Sequence, residues 1–191
     1  MALLSYNEIT PKKIIVYNNE PYLVLSSWVF RKQQRKPVNQ TKIRGLKSGK
    51  VLEISFHQSE TVPEADIEKK ELTYIYRSKN EVWFHEAGNP GARVSFPEAV
   101  VGDKMRFVKE KSDVTALVWN GEVIDIDIPI KVELAVTEAP PAVKGNTAQG
   151  GSKQVVLETG ATVSTPLFIN TGDVVRINTE TEEYVERVEK A

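Results

Sequence analysis

The stretch Val118-Trp119-Asn120-Gly121-Glu122-Val123-Ile124-Asp125-Ile126-Asp127-Ile128 decides the fold class. From Val123 onward apolar and acidic residues alternate with the period of two that a pleated strand imposes. Asn120-Gly121 supplies the residue types that tolerate the paired positive φ angles of a tight hairpin. The stretch therefore reads as two short strands folded back on each other. The same signature recurs outward in both directions: Asn18-Asn19 separates two β-rich runs, and Ser48-Gly49 marks a further turn. No stretch has the pattern of a long amphipathic helix, and Phe96 to Val101 has room for a turn or two before Gly102-Asp103. An all-β protein of small barrels follows.

The alternation breaks around Thr61-Val62-Pro63-Glu64-Ala65-Asp66 and again around Asp127-Ile128-Pro129-Ile130, where a proline ends one strand before Val132-Glu133-Leu134-Ala135-Val136 begins another. These breaks predict three domains, residues 1–66, 67–129 and 130–191. Each holds about 60 residues, a size at which a small barrel folds around a modest core. Roughly five strands in each of the last two suits the five-stranded OB barrel.

Composition narrows the function classes. The 191 residues are 40% hydrophobic and 27% charged, with no apolar run near the ~20 residues of a membrane span and no signal-peptide pattern. A cytoplasmic protein with no membrane contact is expected. Cysteine is absent, which excludes a disulfide framework, a thiolate nucleophile and cysteine-ligated metal. His57 and His85 lie far apart, outside any metal-ligand spacing and without a Ser–His or Glu–His context. Asp125 and Asp127 share a strand face, a pattern that suits metal binding or acid–base work and is also that of a solvated sheet face; the flanking isoleucines favour the solvated face. No catalytic residue, metal or cofactor is expected.

Charge is segregated along the chain. The formal net charge is −1 overall, but residues 1–66 carry +4 and residues 67–191 carry −5, and residues 31–50 contain eight Lys/Arg and no acid. The basic block includes a hairpin: Tyr22 to Phe30 and Val38 to Arg44 read as strands joined by Arg31-Lys32-Gln33-Gln34-Arg35-Lys36-Pro37. Arms of eight residues would hold the tip roughly 26 Å from the base. Such a tip contacts a polyanion such as RNA, with Lys42 and Arg44 as further contacts, or else is a charged edge that discourages aggregation. Strand tryptophans usually fill cores, and of Trp28, Trp83 and Trp119 it is Trp28, near the cationic hairpin, that is placed to lie by RNA. Residues Pro140 to Lys153 form a long Gly-rich connection, either filler or a surface on which backbone N–H groups approach a ligand. It lacks the Lys-Ser/Thr ending and following helix of a nucleotide-binding loop.

Several separated stretches resemble the bacterial elongation factor P family across essentially the whole chain. Lys153, Gly160, Val163, Pro166, Ile169 and Gly172 stand at the spacings of its C-terminal signature, with Val155 and Thr165 where the family usually has Ala and Val. Glu20-Pro21-Tyr22, Leu72-Thr73-Tyr74-Ile75-Tyr76, Trp119-Asn120-Gly121 and Glu183-Tyr184-Val185 are similar too. The resemblance implies an SH3-like, KOW-type first domain and two OB-like barrels in an L-shaped, tRNA-like outline. It also implies a monomeric translation factor without enzymatic activity. Such a factor sits between the ribosomal sites for peptidyl-tRNA and exiting tRNA, in contact with both subunits, its hairpin tip at the CCA end of the peptidyl-tRNA. Relief of stalls at consecutive prolines follows as its role, and the loop containing Gly145, Asn146 and Thr147 is implied to lie near the messenger in the exit site. Where relatives carry a post-translationally extended Lys or Arg, this chain has Gln34 beside Gln33, and glutamine cannot accept those modifications. Either Arg31, Lys32, Arg35 and Lys36 supply charge and reach unmodified, or another loop register brings Arg35 or Lys36 to the tip. A generic OB-fold RNA-binding module is the alternative reading, with a nucleotide hydrolase a distant third.

Overall fold

A computed structural model describes residues 2–31, 36–141 and 151–191. The chain divides into two compact units, Met1–Lys70 with Ala116–Asp125, and Glu71–Thr115 with Ile126–Ala191. Nearly all regular structure is strand. Six strands lie in the first 66 residues: β1 (Leu3–Ser5), β2 (Ile14–Tyr17), β3 (Glu20–Phe30), β4 (Val38–Gly45), β5 (Val51–His57) and β6 (Thr61–Pro63). Strands β2 to β5 form an antiparallel meander in sequence order, and β1 pairs with β6, with Leu4 opposite Val62. Between β2 and β3, Asn18 and Asn19 take φ angles of 50° and 60°, as the hairpin reading requires. The inward residues Leu4, Ile9, Ile15, Tyr22, Val24, Ile43, Phe56 and Val62 form one apolar cluster.

The next strands are β7 (Glu68–Ser78), β8 (Glu81–Glu86), β9 (Asn89–Pro97), β10 (Asp113–Trp119) and β11 (Glu122–Asp127), in the sheet order β11-β10-β7-β8-β9. Asn120 and Gly121 join β10 to β11 at φ 50° and 82°. A second tight turn, Lys79-Asn80 at 50° and 65°, joins β7 to β8. Within Phe96 to Val101, where the sequence leaves room for a turn or two of helix, α1 (Glu98–Val101) forms one turn, followed by a 3-10 turn at Asp103–Phe107. Phe84 is fully buried, with the rings of Tyr74 and Phe96 at centroid distances of 5.8 and 5.7 Å.

The last strands, β12 (Lys131–Glu138), β13 (Ser152–Leu157), β14 (Thr162–Pro166), β15 (Val174–Asn178) and β16 (Glu183–Glu189), pair antiparallel in the order β14-β13-β12-β15-β16. Leu134, Val136, Val155, Leu157, Val163, Ile169, Val175 and Ile177 make their core, which Phe107 joins. Of the C-terminal signature residues, Val163 and Ile169 are in this core, while Gly160 and Gly172 occupy φ angles of 83° and 92° that a side chain would strain.

One expectation fails here. Asp125 is buried rather than on a solvated face, although Asp127 is exposed. Residues Ala116–Asp125 belong to the first unit, where Trp119 and Ile124 meet Ala65, and burial on β11 ends after Ile126. Alternation along one strand records which faces are apolar; it does not record what another segment later covers.

Candidate RNA interface

The hairpin of the first unit is where charge, exposure and reach coincide. Strands β3 and β4 run together to their outer ends, with Phe30 opposite Val38, Trp28 opposite Gln40 and Ser26 opposite Lys42. Along β4 the residues Asn39, Thr41, Ile43 and Gly45 are buried, and Val38, Gln40, Lys42 and Arg44 point the other way. Lys42 and Arg44 therefore share the outer face, Lys42 exposed and Arg44 half-buried. Arg31 and Lys36, at the ends of the two arms, are exposed. Lys32, Gln33, Gln34 and Arg35 lie outside the described residues. The first acid after the basic block, Glu53, stands directly across from Lys42 on β5 and offsets part of its charge.

An irregularity in β3 sets the direction of this face. Val24 pairs with Ile43 and Ser26 with Lys42, so Leu25 is an extra residue. Tyr22 and Val24, before the bulge, point into the core. Strict alternation would send Ser26, Trp28 and Phe30 inward as well, but one inserted residue reverses the phase of everything after it. Trp28 and Phe30 consequently lie on the outer face, 51% and 37% exposed.

The arm is held from beneath by a residue that pattern reading passes over. Asn39 is buried, and its Nδ2 donates to the carbonyls of Tyr6 at 2.5 Å and Ile9 at 3.1 Å. That clamp joins β4 to the segment after β1. An asparagine in a strand carries no periodic signal, so only its disfavoured residue type in a β run could have marked it. On the outer face Ser55 donates to Gln40 at 2.7 Å, which fixes the amide beside Trp28.

The remaining candidates fall elsewhere. Gly145, Asn146 and Thr147 lie outside the described residues, but the stems of their segment are tied: Lys153 Nζ donates to the Pro140 carbonyl at 3.0 Å, and the Ala139 N–H donates to Thr171 at 3.1 Å. Asp173 secures the turn that holds this stem. Burial pushes its carboxyl up, but N–H groups of Asn170 at 2.9 Å and Ala191 at 3.0 Å, with the Arg187 guanidinium at 3.3 Å, outweigh burial and hold it below the usual range. His57 ends β5, its N–H bonded to Glu60, and the His85 ring meets the Glu86 carbonyl at 2.9 Å. Trp119 is buried with Lys47 over its ring at 5.4 Å, and Trp83 stacks on Tyr76 at 6.1 Å. Among the described residues no group of three His, Asp or Glu is arranged to hold a metal ion. Among the described residues no helix is long and apolar enough to cross a membrane.

Residues 5–62, which include the hairpin, match the elongation factor P (EF-P) KOW-like domain, and residues 132–187 match the elongation factor P C-terminal domain. The fold is similar to that of the eukaryotic translation initiation factor 5A from Methanococcus jannaschii, with a TM-score of 0.52 at 9% identity over 67% of this chain and 92% of that one. The class is thus that of an all-β translation factor with a KOW-like first domain. Over 188 residues the chain is 37% identical to elongation factor P of Thermodesulfovibrio yellowstonii, covering 98% of this chain and all of the other. It is 37% identical over 186 residues to elongation factor P of Natranaerobius thermophilus, covering 97% and 98%. The chain belongs to the elongation factor P family.

Proposed function

We propose that this translation elongation factor binds the ribosome next to the peptidyl-tRNA and places the tip of the β3–β4 hairpin at its CCA end, so that bonds at consecutive prolines form faster. The observation that carries the reading is the hairpin itself: an arm extending past the buried cluster, with exposed Arg31, Lys36 and Lys42 in a block of eight cations without an acid. Cations so placed bind phosphates and release their counterions. The chemistry stays with the ribosome. The factor contributes orientation, since holding the peptidyl end in a reactive geometry removes part of the entropic barrier.

The rest of the reading follows from the same sequence. Residues 1–66, 67–129 and 130–191 act as three domains, the last two OB-like, and the loop with Gly145, Asn146 and Thr147 meets the messenger in the exit site. The factor works as a cytoplasmic monomer, without a cofactor or turnover of its own. Gln33 and Gln34 leave the tip without a Lys at the position of the family's extension, so the factor acts unmodified and depends on Arg31, Lys32, Arg35 and Lys36. Intact mass of protein from its own host should equal the sequence mass; an added group within Arg31–Lys36 would contradict this.

Salt titration of ribosome binding tests the placement. Affinity should fall steeply between low and moderate salt, and replacing Arg31, Lys32, Arg35 and Lys36 with Ser should flatten the log–log slope by about 3, near 0.7 to 0.9 per lost phosphate contact. An unchanged slope would mean that the hairpin cations are edge protection and that contact lies elsewhere.

A further inference from the structure

The phase reversal at Leu25 delivers two large aromatic side chains to the outer face of a cationic arm, where neither the core nor edge protection has a use for them. We infer that Trp28 and Phe30 form a stacking platform for an unpaired nucleobase of the RNA that the hairpin meets, a role that rests on the RNA reading above and adds a base contact to it.

Three observations converge on that ligand. Trp28 and Phe30 stand two residues apart on one strand face, 51% and 37% exposed, and so present adjacent aromatic surfaces about 7 Å apart along the strand. Opposite Trp28 lies Gln40, whose amide is held by Ser55 and has donor and acceptor groups to offer a base edge. One position further along the same face is Lys42, then Arg44, with Arg31 and Lys36 at the outer end. Aromatic faces flanked by cations are what a single strand requires, because its bases stack while its phosphates are neutralised; paired bases have no free face to give. A proline-rich peptide also packs on exposed tryptophan, but it carries no charge that would answer the cations, and so RNA is the occupant that the whole face fits.

The bulge makes the arrangement specific. Without the inserted residue Trp28 would be in phase with Tyr22 and Val24, on the face opposite to Lys42 and Arg44. A bulge re-aims the side chains that follow it, and here it re-aims the two that stack.

The test measures binding of the full-length protein to a labelled single-stranded RNA of about eight nucleotides ending in CCA, and to a blunt duplex of the same length. Trp28→Ser should weaken single-strand binding about 5- to 100-fold while leaving the salt slope unchanged, because stacking releases no counterions. Trp28→Phe should restore most of the affinity, and Phe30→Ser should give a smaller loss in the same direction. The Arg31, Lys36 and Lys42 to Ser variant should instead flatten the salt slope and keep the preference for single strand over duplex. Because Trp28 is exposed, an unchanged thermal midpoint is expected and shows that the fold is intact. Wild-type affinity in Trp28→Ser, beside a flattened slope in the cation variant, would overturn the platform and leave the RNA reading standing. No effect of either variant, or no RNA binding by the wild type, would overturn both. Binding of an oligoproline peptide in a Trp28-dependent manner, with no Trp28-dependence for RNA, would transfer the platform to a peptide.

Discussion

The β3–β4 hairpin and the β12–β16 sheet are built from the same antiparallel pairing, yet they spend their polar residues differently. In the sheet, charges answer one another: Arg176 lies between Glu133 and Glu186, and the buried Asp173 accepts from two backbone N–H groups and from Arg187. Phe168, although exposed, has the Arg187 guanidinium over its ring at 5.2 Å. In the hairpin, six cations from Arg31 to Arg44 come before the first acid, Glu53, and Trp28, Val29 and Phe30 are consecutive exposed apolar residues. Charge that is matched within the chain holds the chain together, whereas charge in excess and aromatic surface left in water are features that a partner completes.

That contrast predicts where substitutions are felt. Asp173→Ala should lower stability most, by about 3 kcal/mol, because charge-assisted hydrogen bonds from Asn170, Ala191 and Arg187 to a buried carboxylate are lost together. Urea unfolding read from the second unit measures it. The same carboxylate gives a pH dependence. Its folded pKa is depressed, so its contribution is fully present above the unfolded value near 3.9 and is lost as pH falls through the lower folded value. Acid unfolding of Asp173→Asn should therefore lack that component, and an identical acid limb would contradict the assignment.

Within the hairpin the expected stability effects are smaller, with one exception that sharpens the comparison. Asn39→Ala should cost about 2 kcal/mol, since the carbonyls of Tyr6 and Ile9 lose a shared donor. A neutral result would show that the arm is supported in some other way. Replacing Arg31, Lys32, Arg35 and Lys36 with Ser should change stability least, by about 0.5 kcal/mol or less at each site. A drop of the Asp173 size in that variant would erase the distinction between the two regions.

Much of this was open to reading in the sequence. Asn120-Gly121 and Asn18-Asn19 announce their turns because few residues accept positive φ, and the Val123 to Ile128 alternation announces a strand. Lys79-Asn80 adopts the same turn without that signal, because lysine rarely enters the left-handed region and only the flanking strands place it there. The position of the hairpin and its charge were equally legible. Its outer face was legible in part: Trp28 is the tryptophan that its place beside the cationic hairpin marks for RNA, but the bulge at Leu25 carries no Gly to mark it, and counting by twos from the buried Tyr22 and Val24 gives Trp28 and Phe30 the inward phase. Asn39 and Asp125 escaped for a related reason, since what lies over a strand comes from segments distant in sequence.

The central claim is that the cationic hairpin tip acts at the peptidyl end. Its most direct test is synthesis through a Pro-Pro-Pro stretch in a reconstituted translation system, comparing wild type with the Arg31, Lys32, Arg35 and Lys36 to Ser variant, on proline-rich and proline-free templates. The account predicts that the variant, folded as wild type, leaves the proline template at the level seen without factor and leaves the proline-free template unaffected. Full rescue of the proline template by the neutral-tip variant would contradict it.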